Sequence, residues 1–208
     1  MQISTYTKQH NVELKHYTPL ELCSYAIRTC WNSHDKSSKE ADKELIYRVG
    51  NKLKHASTLE HIVYHFHIKG ISRACLQELA RHRIASLSVK STRYTLKELK
   101  KRTLDIDNLG DFVVLVPNDD VNLANLNALQ KMQELLKKGI VIDIVKYMIP
   151  ESYKTELSLT INARSLQNFL ALRSSKRALW EIRILSWSIY ESLPDSHKYL
   201  FYDSMEIT

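Results

Sequence analysis

An alternation of apolar and polar residues over positions 62–69, followed at once by a change of period, constrains the fold more than any other feature. The apolar positions of this segment are Ile62, Tyr64, Phe66 and Ile68. They share one face of an extended chain, so the pattern predicts a β-strand. From residue 71 to residue 82 the period becomes helical, with a narrow apolar side. A strand that leads directly into a helix predicts an α/β fold.

The rest of the chain alternates between the same two patterns. Extended segments are predicted over residues 1–13, 86–94, 112–116 and 155–161. Helices are predicted over residues 19–28, 41–53, 119–136, 163–173 and 176–193. Thr18, Asn118 and Asn162 are expected to cap three of these helices, because their side-chain oxygens can accept hydrogen bonds from the first backbone N–H groups. The leucine stripe of residues 123–136 is typical of a core or a subunit contact.

The composition indicates one soluble globular domain covering residues 1–208. Four glycines and four prolines among 208 residues leave no linker-like segment, and 44% hydrophobic residues suffice for a sizeable core. The N-terminus lacks a signal sequence and no stretch is long enough to span a membrane, so a cytoplasmic location is expected. The three cysteines form no Cys-x-x-Cys pair, which predicts reduced thiols instead of disulfides or a thiolate zinc site.

The charge balance indicates an anionic partner. Lys and Arg outnumber Asp and Glu by 30 to 23, a net charge of +7. Such a balance favours nucleic acid, a nucleotide or a phosphorylated cofactor, and composition does not separate these. The basic run at residues 97–102 is more typical of a solvated helix face than of a binding patch. A nucleic-acid-binding protein and a helical interaction module using the leucine stripe therefore stay open as alternatives.

Residues 81–94 hold the densest group of polar functional side chains in the sequence. They include four cations, a histidine and three serines. Fixed positive charges beside hydroxyls suit a phosphate-bearing ligand, whereas cations at a helix C-terminus alone would be explained by the helix dipole. The chain has neither a glycine-rich nucleotide loop nor a Gly-x-Ser-x-Gly elbow. Any pyrophosphate would have to be held by side chains and helix ends.

Arg173 stands on the apolar stripe of the helix predicted over residues 163–173. It follows Phe169 by four residues, so it occupies a position where an apolar side chain is expected. A charge there needs a partner, unless the side chain reaches out to solvent at the helix end. Arg164 and Asn168 lie one turn apart on another side of the same helix.

Three histidines in and before the first predicted strand raise the question of a metal site: His61, His65 and His67. The sequence has no His-Glu-x-x-His helix and few carboxylates near them, so no metal is predicted. They are interpreted as surface residues of the strand.

The sequence Arg81-His82-Arg83, seven further residues and then Ser91, followed by Arg93 and Tyr94, resembles the defining motif of the flavin-dependent thymidylate synthases. The resemblance extends through residues 55–61, 77–80, 162–173 and 180–182, and so covers nearly the whole chain. It implies a homotetramer with shared active sites and a mixed or mostly antiparallel sheet with packed helices.

The resemblance also implies the reaction. The enzyme would convert dUMP to dTMP, with 5,10-methylenetetrahydrofolate as carbon donor and FAD, reduced by NADPH, as hydride donor, and without a covalent enzyme nucleophile. Its partners would be small molecules, with neither nucleic acid nor membrane. Arg173 would be catalytic, since its charge would stabilise the anion formed when N3 of the uracil loses its proton.

The remaining site residues follow from the same resemblance. The FAD-binding residues would be His55, Ser57, Arg81, His82, Arg83, Val89, Asn162, Arg164 and Asn168. The dUMP-binding residues would be Glu78, Leu79, Ala80, Arg81, Val89, Lys90, Ser91, Thr92, Arg93, Lys146 and Arg173. Three positions depart from the usual residues of the family. Val89 replaces Glu or Gln and offers only backbone contacts, Lys146 replaces Arg and loses the bidentate fork, and Cys30 replaces Ser.

Overall fold

A four-stranded antiparallel sheet forms the β-structure of the protein, which we describe from a computed structural model that defines residues 6–206. The strands are β1 (Asn11–Tyr17), β2 (Val63–Ser72), β3 (Ala85–Val89) and β4 (Lys154–Asn162). Their order in the sheet is β1-β2-β4-β3. The expected α/β fold with a mostly antiparallel sheet is therefore confirmed.

Nine α-helices accompany the strands in the described part of the chain, besides several 3₁₀ turns and a π-helix over Tyr47–Lys52. They are α1 (Leu20–Trp31), α2 (Lys39–Ile46), α3 (Arg73–Ala80), α4 (Thr92–Leu99), α5 (Asp119–Lys137), α6 (Ile142–Val145), α7 (Ala163–Arg173), α8 (Trp180–Glu191) and α9 (Asp195–Lys198). Two of the predicted caps are confirmed. Asn118 accepts a hydrogen bond from the backbone N–H of Val121 at 3.0 Å, and Asn162 accepts one from that of Ser165 at 2.8 Å.

Strand β2 forms where its alternation predicts it, but it continues to Ser72, so the helix predicted from residue 71 begins only at Arg73. Tyr64, Phe66 and Ile68 are fully buried, and α3 begins directly after the strand ends. Gly70 allows the strand to pass the preceding chain closely. Its φ is +81°, and a Cβ placed on it would lie 2.8 Å from the carbonyl oxygen of Gln9. Only a residue without a side chain meets both conditions without strain.

Several predicted boundaries are wrong. Thr18 does not cap α1, because its hydroxyl accepts a hydrogen bond from the N–H of Val63 at 3.1 Å. Of the strand predicted over residues 1–13, residues 1–5 lie outside the described residues and β1 begins only at Asn11. The segment 112–116 forms no strand, only one isolated bridge between Val113 and Tyr153. The last long helix begins at Trp180 instead of residue 176.

The extended segment predicted over residues 86–94 is only half correct. Strand β3 ends at Val89, and Thr92 already begins α4. The change occurs because the Ser91 hydroxyl accepts a hydrogen bond from the N–H of Arg93 at 3.3 Å, an N-cap that turns the chain into a helix.

The chain divides into two compact units. Of the described residues, the first contains 6–11, Ile68–Leu79 and Ser88–Leu157, and the second contains Val12–His67, Ala80–Leu87 and 158–206. In the first unit, the predicted stripe of α5 is core except at its start, where Leu123 is 50% exposed. Its buried residues pack with Leu96 and Leu99 of α4. In the second unit, α7 contacts α8 and the turn Ala56–His61.

Among the described residues, no disulfide joins Cys23, Cys30 or Cys75. Cys23 and Cys75 are buried and Cys30 is exposed. Burial raises the pKa of the Cys23 thiol to about 12. Within residues 6–206, every helix falls short of the length or the apolar character that crossing a membrane requires.

Candidate functional site

A cleft in the second unit brings together side chains from two distant parts of the sequence. Its volume is about 610 Å³, within the range of small-molecule pockets. Its lining residues are Arg81, His82, Arg83, Ile84, Arg164, Ser165, Asn168, Leu172 and Arg173. We call it the cationic cleft, because four of its nine lining residues are arginines and none of the nine is acidic. The predicted flavin-binding residues of the Arg-His-Arg motif and of α7 therefore meet here.

The motif side of the cleft is held in an unusual backbone conformation. Arg81–Ile84 form the turn between α3 and β3, and Ile84 has a φ of +61°. A β-branched residue is rarely found in this left-handed region, where its side chain crowds the backbone. Ile84 is also 73% exposed, so burial of its side chain does not explain the conformation. Strain of this kind costs about 1–3 kcal/mol and tends to occur at functional sites.

Helix α7 supplies the opposite side of the cleft. Arg164 and Asn168 lie one turn apart and both line it, as the helical spacing predicts. Arg164 also donates a hydrogen bond from Nη1 to Oε1 of Glu60 at 2.8 Å, which orients its guanidinium. Asn162 is placed differently. Its side-chain oxygen caps the helix and so already accepts the hydrogen bond of Ser165.

Arg173 forms a hydrogen bond with His82, which provides the partner that a charge on an apolar stripe requires. Its Nε donates a hydrogen bond to Nε2 of His82 at 2.8 Å. The imidazole of His82 is only 7% exposed and packs edge-on against the ring of Phe169, with the ring centres 5.0 Å apart. The motif resemblance implies different ligands for His82 and Arg173, and no sequence pattern predicted their contact. The one available signal was that a charge at position 173 needs a partner.

A second group of predicted site residues gathers in the first unit. We call it the Arg93 cluster, and it consists of Ser91, Arg93, Asp143 and Lys146. Arg93 donates from Nε and Nη2 to the two carboxylate oxygens of Asp143, at 3.1 and 2.9 Å. The ammonium of Lys146 lies 3.6 Å from Oδ1 of the same carboxylate. Two residues predicted to bind the nucleotide, Arg93 and Lys146, thus contact the same acidic residue.

Asp143 was not identified as a site residue from the sequence. The hydrogen bonds from Arg93 hold the pKa of its carboxyl below the ordinary value, and the charges of Arg93 and Lys146 add to this against the desolvation. Asp143 therefore stays ionised at neutral pH. The spacing of Asp143 and Lys146, three residues apart, was the only local signal for the pairing.

The other predicted ligands lie outside both groups. His55 and Ser57 are exposed in and before the turn Ala56–His61 of the second unit. Leu79 is 2% exposed, so only its backbone could meet a ligand. The remaining predicted dUMP ligands are Glu78, Ala80, Val89, Lys90 and Thr92. Of these, Glu78 is half-buried at the end of α3, Val89 is 41% exposed, and Lys90 lies 3.6 Å from Glu98.

His65 and His67 of β2 are half-buried residues of the sheet. Nδ1 of His65 lies 2.7 Å from the hydroxyl of Thr160 on β4. Among residues 6–206, no three His, Cys, Asp or Glu side chains are grouped as a metal site would need.

Known proteins resemble this chain along most of its length. Residues 13–197 match the family described as thymidylate synthase complementing protein. Flavin-dependent thymidylate synthases from Campylobacter jejuni and Wolinella succinogenes are 58% and 60% identical over 196 residues. The alignments cover 91% of this chain and 95% and 96% of those proteins. The crystal structure of thymidylate synthase X from Helicobacter pylori with FAD and dUMP superposes with a TM-score of 0.91 at 51% identity. That match covers 95% of this chain and all of the other.

The fold and the cationic cleft define an α/β protein suited to an anionic ligand. The matches are more specific, and the chain belongs to the flavin-dependent thymidylate synthases. The expectation from the Arg-His-Arg motif is confirmed at the level of the family.

Proposed function

We propose that this protein converts dUMP to dTMP as a flavin-dependent thymidylate synthase. The methylene group comes from 5,10-methylenetetrahydrofolate, and FAD, reduced by NADPH, supplies the hydride. The proposal is supported by relatives that carry this name and by related structures that were solved with FAD and dUMP. The observation that carries it for this chain is the cationic cleft.

The residues of the cleft fit a phosphate-rich cofactor such as FAD. Each guanidinium offers five N–H donors in a planar fork that matches phosphate oxygens, and its positive charge is permanent. None of the residues that line the cleft is acidic. Arg81, Arg83 and Arg164 would therefore hold the pyrophosphate without a glycine-rich loop, and Asn168 would add an amide donor and acceptor.

Arg173 is proposed to act on the nucleotide base. Its guanidinium would bind the uracil edge and stabilise the negative charge that develops when N3 is deprotonated. That charge increases electron density at carbon 5, the atom that accepts the new carbon. A fixed cation is effective here because it does not need to reorganise as the charge forms.

The Arg93 cluster is proposed to bind the phosphate of dUMP. Arg93 and Lys146 supply charge, and Ser91 supplies a hydroxyl. To bind a phosphate, Arg93 would exchange the Asp143 carboxylate for phosphate oxygens, which the same fork accommodates. Ser91 uses its oxygen to accept from the N–H of Arg93, and no described carboxylate or imidazole hydrogen-bonds to it as a general base would. This supports a phosphate ligand and not a nucleophile.

We further infer that residues 1–208 act as one functional domain, that the protein is a cytoplasmic homotetramer with shared active sites, and that its partners are small molecules and not nucleic acid or membranes. Large apolar side chains at the surface support subunit contacts. Tyr147 is 86% exposed and Trp31 is 73% exposed. Tyr and Trp are enriched at protein–protein interfaces relative to the rest of the surface.

An absorption spectrum of the purified protein tests the proposal. We expect the bands of bound FAD, bleaching by NADPH without oxygen, and formation of dTMP after dUMP and methylenetetrahydrofolate are added. A colourless protein that takes up no FAD would contradict the proposal. Steeply salt-dependent binding to single-stranded DNA without binding of dUMP would favour a nucleic-acid-binding protein instead.

A further inference from the structure

We propose that His82 is a positioning residue for Arg173, whose guanidinium it holds in place through its unprotonated Nε2. This inference rests on the proposed function, because Arg173 is the residue that would act on the uracil. It gives His82 a different role from the FAD ligand that the motif resemblance implies.

The contact itself determines the protonation state of the imidazole. Arginine stays protonated at all relevant pH values, so its Nε can only donate. Nε2 of His82, 2.8 Å away, must therefore accept and cannot carry a hydrogen. In a neutral imidazole the hydrogen is then on Nδ1. The same nitrogen cannot also donate to a cofactor phosphate, which is the usual way in which a histidine binds an anion.

Packing fixes the imidazole ring from a second direction. His82 is 7% exposed, and its ring lies edge-on to Phe169 at an interplanar angle of 80°. Phe169 is buried and precedes Arg173 by one turn of α7, so one helix supplies both contacts to the ring. The acceptor atom is thereby held at a set position relative to the helix that carries Arg173.

The hydrogen bond at Nε also restricts the orientation of the rest of the Arg173 guanidinium. An arginine side chain has many rotamers, and binding one of its five N–H groups removes much of this freedom. The other four N–H groups are on the two terminal nitrogens, and Arg173 lines the cationic cleft. His82 thus sets the plane and the direction of the fork that would meet the uracil edge. Alignment of this kind contributes to kcat more than to the affinity for the cofactor.

Three substitutions in the full-length FAD-loaded protein separate the possible roles of His82. His82→Gln can place an amide oxygen near the position of Nε2. His82→Asn keeps an amide but holds its oxygen closer to the main chain, at the position of Nδ1. His82→Phe keeps an aromatic ring against Phe169 and removes the acceptor. Urea unfolding of each variant checks that it remains folded.

The measured quantities are FAD content, and kcat and KM for dUMP. We expect all three variants to retain FAD, His82→Gln to keep most of the activity, and His82→Asn and His82→Phe to lose kcat by roughly 100-fold, the scale of a misplacement of about 1 Å. Loss of FAD from all three variants would make His82 a cofactor ligand and overturn the proposal. So would wild-type kcat in His82→Phe, or a His82→Gln variant no better than His82→Phe.

A measurement that needs no activity tests the contact separately. The ¹⁵N NMR shifts of the His82 ring should show a bare Nε2 and a protonated Nδ1, and Arg173→Ala should shift the Nε2 signal. A protonated Nε2 in the wild-type protein would overturn the proposal. If the wild-type protein formed no dTMP while these shifts were as expected, the proposed function would fail and the contact between His82 and Arg173 would stand.

Discussion

Arg93 and Asp143, which are 50 residues apart in the sequence, form a two-pronged ion pair in which both oxygens of the carboxylate accept hydrogen bonds. A carboxylate in this position resembles a ligand phosphate in charge and in geometry. Both side chains are more than half exposed, so the pair contributes little to stability. Its importance would be for binding, because the same fork cannot hold the carboxylate and a phosphate together.

Asp143→Asn is therefore expected to bind dUMP more tightly, by roughly tenfold, the scale of one charge-assisted hydrogen bond. The amide keeps the shape of the side chain but no longer competes with the phosphate for Arg93 and Lys146. Calorimetric titration with dUMP gives the dissociation constant. Asp111→Asn is the matched control, because Asp111 forms a similarly exposed ion pair with Arg102 at 2.9 Å. Weaker binding by Asp143→Asn would instead mean that the carboxylate holds Arg93 in its binding pose.

Arg173→Ala should reduce the rate of dTMP formation by about 100-fold or more, since it removes the cation proposed for the uracil anion. Arg173→Lys should restore little, because an ammonium keeps the charge but lacks the planar fork and the Nε that contacts His82. Single-turnover formation of dTMP measures the effect. Arg177→Ala, at an exposed position just after α7, should leave the rate unchanged. A fast Arg173→Ala enzyme would exclude Arg173 from the chemistry.

Ile84→Gly should raise the free energy of unfolding by about 1 kcal/mol. Glycine adopts a φ of +61° without strain, and this gain exceeds the entropy that glycine loses on folding. Urea unfolding of the protein without ligands measures the change. Val89→Gly is the control, because Val89 is a partly exposed β-branched residue within β3 and its substitution should cost about 1 kcal/mol. If both variants were destabilised equally, the turn at Ile84 would not be strained.

Acid should destabilise the protein through His10. Burial, with a smaller contribution from the charge of Lys8, lowers the pKa of His10 from 6.5 to about 4. Between these values the unfolded chain binds a proton that the folded chain does not. Protonation of His10 therefore does not lower the free energy of unfolding above pH 6.5. As the pH drops from 6.5 towards 4, the free energy of unfolding falls by up to about 1.4 kcal/mol per pH unit.

Urea unfolding at pH 7, 6 and 5 measures this slope. His10→Asn should have a shallower slope but not a flat one, because burial also lowers the pKa of His197. An unchanged slope in His10→Asn would show that His10 is not the group responsible.

The sequence predicted those features that depend on neighbouring residues. The alternation from Ile62 to Ile68 specifies β2, because period two is visible within a few residues, and Asn118 and Asn162 cap helices through contacts three residues away. The alternation of apolar and polar residues also continues past Val89, although the Ser91 cap starts a helix there. A local pattern cannot show whether the strand or the helix forms in such a segment.

Contacts between distant residues were beyond local reasoning. The pairs His82 with Arg173 and Arg93 with Asp143 span 91 and 50 residues. Nothing in the spacing of either pair indicates that its members meet, since the intervening chain decides it. The motif resemblance identified His82, Arg93 and Arg173 as site residues but did not indicate which side chains hold them.

The cationic cleft makes the stability of the enzyme depend on what it binds. Four like charges line one small volume. A bound polyanion relieves this repulsion only in the folded state, so saturation at 100 times the dissociation constant adds about 2.7 kcal/mol to the free energy of unfolding. When cofactor supply falls, the protein without its ligand unfolds more often and is degraded sooner. The abundance of the enzyme would then follow the supply of its cofactor without any dedicated regulator.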